Sequence, residues 1–163
     1  MLDVACGTGT NFPYLPSSVE LVGIDISPEM LAKASDRLAT LGIDGEVQQM
    51  DAQELAFPDD RFDAVVSALS TCTFPDPVVA LGEMARVCKP DGTIRLVEHG
   101  HSSIGPIAWF QDWRADAHYA KVGCRWTQEP REIVDAAGLT IRDSTTGLFG
   151  MVTTFEISPG RER

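Results

Sequence analysis

Short strand-like runs and amphipathic helical stretches alternate along most of the chain. The predicted strands are brief and bounded by glycine or polar residues: residues 1–5, 19–25, 46–51, 62–69 and 93–99. The predicted helices lie between and after them: residues 27–42, 76–92, 105–120 and 129–138. Strands that alternate with helices are typical of an α/β protein with a doubly wound sheet. In that architecture ligands bind beyond the carboxyl ends of the strands.

The first helix has the clearest boundary signals. Ser27 is the predicted N-cap, Pro28 the first helical residue and Gly42 the stop. The apolar residues expected on its inner face are Met30, Leu31, Ala34, Leu38 and Leu41. The second helix is expected to begin after Asp76 and to close at Gly92.

The C-terminal third follows a different pattern. Trp109, Trp113 and Ala117 recur every four residues, as on one face of a helix. Residues 139–147 and 151–158 have the character of two strands joined in a closing hairpin. We therefore expect an antiparallel end to a mostly parallel sheet.

Composition narrows the class of protein. A chain of 163 residues with 44% hydrophobic residues forms one globular domain, and no apolar run approaches the length of about 18 residues that a membrane span needs. The 24 acidic residues outnumber 13 basic ones, and the net charge of −11 excludes nucleic acid as the expected partner. Four cysteines without a Cys-x-x-Cys pair indicate reduced thiols and a cytoplasmic location.

A glycine pair follows the first strand. Gly7 and Gly9 let the backbone approach a ligand closely, but Phe12 stands where a dinucleotide-binding turn has its third glycine. A nicotinamide cofactor is therefore disfavoured, and another nucleotide-like ligand is expected.

Acidic residues close the next two predicted strands. Asp25 is placed to accept hydrogen bonds from ribose hydroxyls, and Asp51 to accept one from an adenine amine beside the backbone of Ala52. The alternative is that these aspartates only cap the segments that follow.

Four stretches carry a family resemblance: "LDVACGTG", "GIDISPEML", "QQMDAQELAFPDDRFDAVVS" and "EMARVCKPDGTIRLVEH". Together they resemble the successive motifs of class I S-adenosylmethionine-dependent methyltransferases, from the first residue to about Gly150. The resemblance implies a single Rossmann-like domain over residues 1–163 with strand order 3-2-1-4-5-7-6. Members usually have a helical segment before strand one, so we expect a domain that lacks this N-terminal cap helix.

The same resemblance implies which residues of this chain would bind S-adenosylmethionine. Asp3, Gly7 and Gly9 would line its methionine end, and Asp25 its ribose. The remaining cofactor positions would be Ile26 and Met30 beside adenine and ribose, Asp51 and Ala52 at adenine, and Ser67 and Leu69 beneath the sulfonium. Ala5 departs from the family, which usually has glycine there, and its methyl group would face the cofactor.

Shorter motifs narrow the substrate class. "GTGTNF", "LSTCTFPDPVVALGEMARV", "VEHGHS", "WFQDW" and "GCRWTQEP" are similar to alkyl-thiol methyltransferase-like proteins and to bacterial lipid and quinone methyltransferases. The expected acceptor is a small, fairly apolar molecule: a thiol, a lipid-headgroup amine or a quinone-like carbon, in that order. The alternative is a non-catalytic module that binds S-adenosylmethionine or S-adenosylhomocysteine and needs a partner. A homodimer is also compatible with the sequence.

Candidate catalytic and substrate residues follow strands four and five. Glu98, His99 and His101 are candidates for a base or for substrate positioning, with a structural role as the alternative, and no metal site is expected. The predicted substrate pocket contains Cys72, Trp109 and Trp113, although the tryptophans are equally suited to packing on the sheet.

Overall fold

A computed structural model describes residues 1–16 and 18–160 of the chain. The strands are β1 (Leu2–Val4), β2 (Leu21–Asp25), β3 (Gly45–Gln49), β4 (Phe62–Ala68), β5 (Cys88–His99), β6 (Thr140–Gly147) and β7 (Val152–Ser158). The α-helices are α1 (Pro28–Leu41), α2 (Pro77–Val87), α3 (Gly105–Val122) and α4 (Pro130–Ala136). Short 3₁₀ turns occur at Phe12–Tyr14 and Leu148–Gly150.

All seven strands form one sheet in the order β3-β2-β1-β4-β5-β7-β6. The pairs from β3 to β5 are parallel, whereas β7 is antiparallel to both β5 and β6. The predicted Rossmann-like α/β fold, its strand order and its antiparallel hairpin are confirmed. Because β1 lies inside the sheet, between β2 and β4, the segment after it emerges between the carboxyl ends of these two strands.

Helix α1 has the expected ends. The Ser27 hydroxyl accepts a hydrogen bond from the Met30 N–H at 3.3 Å, and Gly42 ends the helix with a φ of 65°. Leu31, Ala34 and Leu38 are buried as predicted. The prediction was wrong for Met30 and Leu41, which are 42% and 41% exposed because the contact with the sheet is narrower than the apolar stripe.

Helix α2 is shorter than the sequence predicted. It ends at Val87, and the chain enters β5 at once with Cys88, which pairs with Phe62 of β4. Gly92 is therefore not a helix stop. A side chain there would collide with the Asp63 carbonyl at 2.8 Å, so glycine allows an irregular stretch of β5 to lie close to β4.

Apolar residues fill both faces of the sheet. The larger core cluster joins the central strands to α2 and α4, and the smaller one packs α1 and Phe12 against the opposite face. The two edge strands, β3 and β6, are polar by contrast: Glu46 is exposed on one, and Arg142 and Asp143 on the other. The pairing of β6 is also irregular between Ile141 and Asp143.

Candidate functional site

A cleft of about 320 Å³ lies at the carboxyl ends of the first strands. Its volume is within the range of about 300–1,000 Å³ found for small-molecule sites. The lining residues come from the ends of β1 and β2, from the loop after β3 and from the loop after β4: Ala5, Ile24, Asp25, Ile26, Met50, Asp51, Ala52, Thr73, Phe74 and Pro75. Five of the predicted cofactor residues are among them.

The glycine turn after β1 has two different glycines. Gly7 has a φ of 56° and open space where a side chain would stand, and its N–H donates to Asp25 Oδ2 at 2.9 Å. Gly9 has a φ of 72°, and a side chain there would collide with the ring of Phe12. Phe12 is fully buried, so it holds the turn by packing on Gly9 instead of occupying a ligand's place.

Two residues at the ends of neighbouring strands have left-handed backbone conformations. Ala5 after β1 and Leu69 after β4 each have a φ of 55°. Such a conformation costs a non-glycine residue about 1 kcal/mol or more and tends to occur at functional sites. Ala5 lines the cleft and Leu69 is 53% exposed at the next strand end.

The two aspartates predicted to bind ribose and adenine already accept hydrogen bonds from backbone N–H groups. Asp25 Oδ1 accepts from the Ser27 N–H at 2.9 Å, and Asp51 Oδ1 accepts from the Gln53 N–H at 2.8 Å. The capping role and the ligand role are compatible, because a carboxylate offers about four acceptor positions. These backbone bonds fix both carboxylates at the cleft.

Asp3 is a buried acid with an unused oxygen. Its Oδ2 accepts from Asn11 Nδ2 at 3.4 Å, while Oδ1 has no hydrogen-bond partner among residues 1–16 and 18–160. Burial, helped by the charge of Asp25 and opposed by the Asn11 bond, raises the pKa of Asp3 to about 7. Because a buried acceptor is costly to leave unpaired, Asp3 fits a ligand that brings a cation or a donor. The amino-acid end of S-adenosylmethionine carries such an ammonium group.

Two further predicted cofactor residues, Met30 and Ser67, do not line the cleft. Met30 is in the first turn of α1 and does not line the cleft. The Ser67 hydroxyl is buried, donates to the Val4 carbonyl at 2.8 Å and contacts the Ser70 hydroxyl closely. Ser67 therefore ties β4 to β1 at the strand ends.

Glu98, a candidate base, is fully buried under the loop that follows β4. Its Oε1 accepts from the N–H groups of Ser70 and Thr71, each at 3.3 Å. Its Oε2 has no hydrogen-bond partner within the described part of the chain, and burial raises its pKa to about 7. The structure thus shows Glu98 bracing the β4 loop from inside.

The two candidate histidines face different neighbours. His99 Nε2 lies 3.1 Å from Cys124 Sγ, and burial, followed by the charge of His118, lowers the pKa of His99. His101 Nε2 lies 3.0 Å from Asp112 Oδ1 and lines a separate cavity of about 340 Å³. The structure therefore does not bring the pair together.

Cys72 and the two tryptophans of the predicted substrate pocket differ in exposure. Cys72 is buried with its sulfur 3.2 Å from that of Cys124, and burial together with Cys124 raises the pKa of Cys72. Trp109 and Trp113 stack on α3 with ring centroids 6.0 Å apart and are 66% and 64% exposed. They form an outward face, not the sheet packing that was the alternative.

Sequence reasoning missed two residues that organise this region. Gln111 is the buried residue of α3: it accepts from the Ser102 N–H at 2.7 Å and donates to the Gly100 carbonyl at 3.1 Å. Cys124 follows α3 and meets both Cys72 and His99. Neither has a short-range spacing signal, because their partners are distant in sequence.

None of the helices in residues 1–16 and 18–160 is both long enough and apolar enough to cross a lipid bilayer.

Comparison with known proteins identifies relatives. Residues 2–96 match the family described as methyltransferase domain. The chain is 41% identical over 110 residues to a phosphatidylethanolamine N-methyltransferase of Cereibacter sphaeroides, covering 66% of this chain and 54% of the relative. It is 37% identical over 108 residues to a demethylmenaquinone methyltransferase of Renibacterium salmoninarum, covering 66% and 44%. The chain thus spans about half the length of these curated relatives.

Solved structures agree on the fold. A SAM-dependent methyltransferase from Methanosarcina mazei superposes with a TM-score of 0.76 at 21% identity, over 96% of this chain and 90% of that one. The family match covers more than half of the chain and includes every predicted cofactor residue from Asp3 to Leu69. The chain belongs to the methyltransferase domain family, whose cofactor is S-adenosylmethionine.

Proposed function

We propose that this chain transfers a methyl group from S-adenosylmethionine to a small acceptor, and that the acceptor is the amine of a phospholipid headgroup. The observation that carries the first part is a buried oxygen of Asp3, for which the described part of the chain supplies no hydrogen-bond partner. Asp3 lies in the strand that leads to Gly7, where a side chain would meet open space. The similarity to a phosphatidylethanolamine N-methyltransferase supports the second part. This ranks the amine above the thiol that the sequence motifs favoured.

The buried Asp3 and the residues of the cleft have distinct roles in this proposal. Asp3 accepts from the ammonium group, Asp25 from the ribose hydroxyls, and Asp51 with Ala52 meets the adenine. S-adenosylmethionine supplies a methyl group already activated by its sulfonium. The chain's own contribution is to align the acceptor with that methyl group and to exclude water.

No dedicated base is needed in this proposal. Glu98 is enclosed by the β4 loop, His99 faces Cys124 and His101 faces Asp112. An amine attacks in its neutral form, so its proton leaves to solvent before the methyl group is transferred. The three predicted catalytic residues then act on the shape of the acceptor side, not on proton transfer.

The exposed aromatic face of α3 is suited to the acceptor. Trp109, Trp113 and the neighbouring Phe110, which is 47% exposed, present apolar rings to solvent. Phe110 also contacts Trp126, in the segment that carries Cys124. Tryptophan rings also attract ammonium groups by cation–π interactions of about 0.5–2 kcal/mol. A lipid with an amine headgroup offers both an apolar body and such a cation.

A quinone-like acceptor is the second candidate, because the chain is also 37% identical to a demethylmenaquinone methyltransferase. Its reacting atom is a ring carbon, so it would use the aromatic face without an ammonium group. The two acceptors are therefore distinguishable by which compound becomes labelled.

The test combines binding and transfer. Calorimetry with S-adenosylhomocysteine should show one site, with NADH as a non-binding control. Labelled S-adenosylmethionine should then methylate vesicles that contain phosphatidylethanolamine, and neither vesicles of phosphatidylcholine alone, nor a demethylated menaquinol, nor an alkyl thiol. Label on the quinol or the thiol would replace the proposed acceptor. Binding without any transfer would favour the non-catalytic module that needs a partner.

A paired variant tests the aromatic face. Trp113→Ala should lower kcat/KM for the lipid about tenfold and leave the affinity for S-adenosylhomocysteine unchanged, because the ring lies outside the cofactor cleft. The control is Tyr14→Ala, which removes an aromatic ring that is 87% exposed in the 3₁₀ turn Phe12–Tyr14. An equal loss in both variants would contradict a specific role for α3.

A further inference from the structure

Three metal-binding side chains meet beside the cleft, although they come from three distant segments. Cys72 is in the loop after β4, His99 is the last residue of β5, and Cys124 follows α3. One ligand atom from each lies within 4.8 Å of the others. Cys72 is buried, and the other two are half-buried, so an ion has a path to the cluster.

The distances are close to those of a tetrahedral zinc site. Zinc bonds of about 2.3 Å to sulfur and about 2.0 Å to nitrogen place two sulfurs about 3.7 Å apart, and a sulfur and a nitrogen about 3.5 Å apart. The sulfurs of Cys72 and Cys124 are 3.2 Å apart, and Cys124 Sγ is 3.1 Å from His99 Nε2. Small side-chain rotations therefore bring all three to one ion.

The surroundings of His99 match those of a metal ligand. Its ring makes a further hydrogen bond with the backbone of Trp126. Histidines that bind metals usually have their other ring nitrogen fixed in this way, which sets the tautomer and the ring orientation. The Trp126 indole in turn donates to the Gln111 carbonyl at 3.2 Å and stacks on His118.

The two loops that carry the cysteines are also held together. The Arg125 N–H donates to the Cys72 carbonyl at 3.1 Å, and the Arg125 guanidinium donates to the Phe74 carbonyl at 2.8 Å. Gln128 Nε2 donates to Thr71 Oγ1 at 2.7 Å. The cysteines are therefore placed by a network that does not depend on their own contact, as in a preformed site.

From this geometry we propose that Cys72, His99 and Cys124 bind a zinc ion that fastens the segment after α3 to the carboxyl ends of β4 and β5. Two thiolates and a neutral imidazole balance the charge of the ion and suit a borderline-soft metal. No fourth cysteine, histidine or carboxylate joins the cluster among residues 1–16 and 18–160, so a water molecule would complete the tetrahedron. The site does not rest on the proposed reaction, but it borders the predicted cofactor residues: the Cys72 thiol lies 3.8 Å from the Leu69 carbonyl oxygen. Thr73 and Phe74 of the cleft wall also follow Cys72 directly.

A disulfide between Cys72 and Cys124 is the competing outcome. It would use both sulfurs, leave His99 without a role and exclude the metal. The experiment must therefore keep the protein reduced and record the thiol state directly.

The chain of 163 residues, purified without chelator and with a phosphine reductant, should contain about one zinc ion per chain by elemental mass spectrometry. After exchange with Co²⁺, a thiolate-to-cobalt charge-transfer band should appear in the near-ultraviolet. His99→Ala and Cys124→Ser should lower the zinc affinity at least about tenfold. The matched controls should retain it: His101→Ala, two residues beyond the end of β5, and Cys88→Ala, at the opposite end of that strand.

A measurement on the unaltered protein covers the case of variants that fail to fold. Zinc should protect Cys72 and Cys124 from alkylation and leave the alkylation of Cys6 and Cys88 unchanged. Protein without metal that forms no cobalt–thiolate band would overturn the proposal, as would protection of all four cysteines alike. An intact mass that shows a Cys72–Cys124 disulfide in the reduced preparation would also overturn it. Binding of S-adenosylhomocysteine, measured on the same samples, reports separately on the cofactor cleft.

Discussion

The carboxyl ends of β1–β3 and those of β4–β5 form two halves of one sheet edge that are built differently. The first half, the cofactor half, uses short loops in which backbone N–H groups, small residues and aspartates act within a few positions of one another. The second half, the acceptor half, is assembled from side chains of loops and helices far apart in sequence. Backbone geometry thus builds the half in which we propose that the cofactor binds, and side-chain packing builds the half in which we propose that the acceptor binds.

The largest effect is expected from a substitution that disrupts the cofactor half alone. Asp25→Ala removes the acceptor of the Gly7 and Ser27 N–H groups as well as the proposed ribose contact. We expect the affinity for S-adenosylhomocysteine to fall about 100-fold or more, since hydrogen bonds to a charged group contribute about 1.5–3 kcal/mol each. Calorimetry measures this effect. The exposed Asp44→Ala should bind normally, and unchanged binding by Asp25→Ala would show that the ligand lies elsewhere.

Substitutions of the two glycines in the turn distinguish a residue that is needed for packing from one that leaves space for the ligand. Gly9→Ala forces a methyl group into the Phe12 ring and should destabilise the apoprotein by about 2–3 kcal/mol, which overpacking and a strained φ together explain. Gly7→Ala meets open space and should cost only about 1 kcal/mol, yet weaken S-adenosylhomocysteine binding. Denaturant titration compares the two variants. Equal destabilisation would mean that Phe12 does not hold the turn.

The third effect depends on pH. The pKa of Asp3 is about 7 in the folded chain and near 3.8 when unfolded, so the native state keeps a proton that unfolding releases. Between these values the apoprotein therefore loses stability as the pH rises, and the loss is complete above pH 7. The shift of about three pKa units, at about 1.4 kcal/mol each, sets an upper limit of about 4 kcal/mol for this loss. We expect Asp3→Asn to recover about half of it and to be more stable than the wild type by about 2 kcal/mol at pH 8.

The comparison reverses when ligand is added. With saturating S-adenosylhomocysteine at pH 8, the wild type should gain more stability than Asp3→Asn, because only the carboxylate pairs with the ammonium group. Thermal unfolding at several pH values, with and without ligand, measures both effects. Parallel pH profiles for the two proteins would contradict the proposed titration of Asp3.

The smallest effect concerns the strained Ala5. Ala5→Gly relieves a φ of 55° and should stabilise the chain by about 0.5–1 kcal/mol. Ala39→Gly on the exposed face of α1 is the control and should cost about 1 kcal/mol. If both substitutions destabilise the chain, the backbone at position 5 is not strained.

The same contrast explains what could be predicted from the sequence. Strand order, the caps of α1 and the acids of the cleft follow from local patterns and from the family motifs. The end of α2 could not be predicted, because residues 88–92 pair with β4 instead of continuing the helix. The meeting of Cys72, His99 and Cys124 depends on how α3 returns to the sheet, which no short spacing encodes.

The polar strands at the two ends of the sheet have a consequence for association. An unpaired strand edge can template the addition of another chain, and exposed charges and irregular pairing discourage it. Glu46 on β3, and Arg142 and Asp143 beside the irregular pairing of β6, supply both features. If two copies of this domain associate, we therefore expect them to meet through helices or loops, and the sheet to end at seven strands instead of continuing into a neighbour.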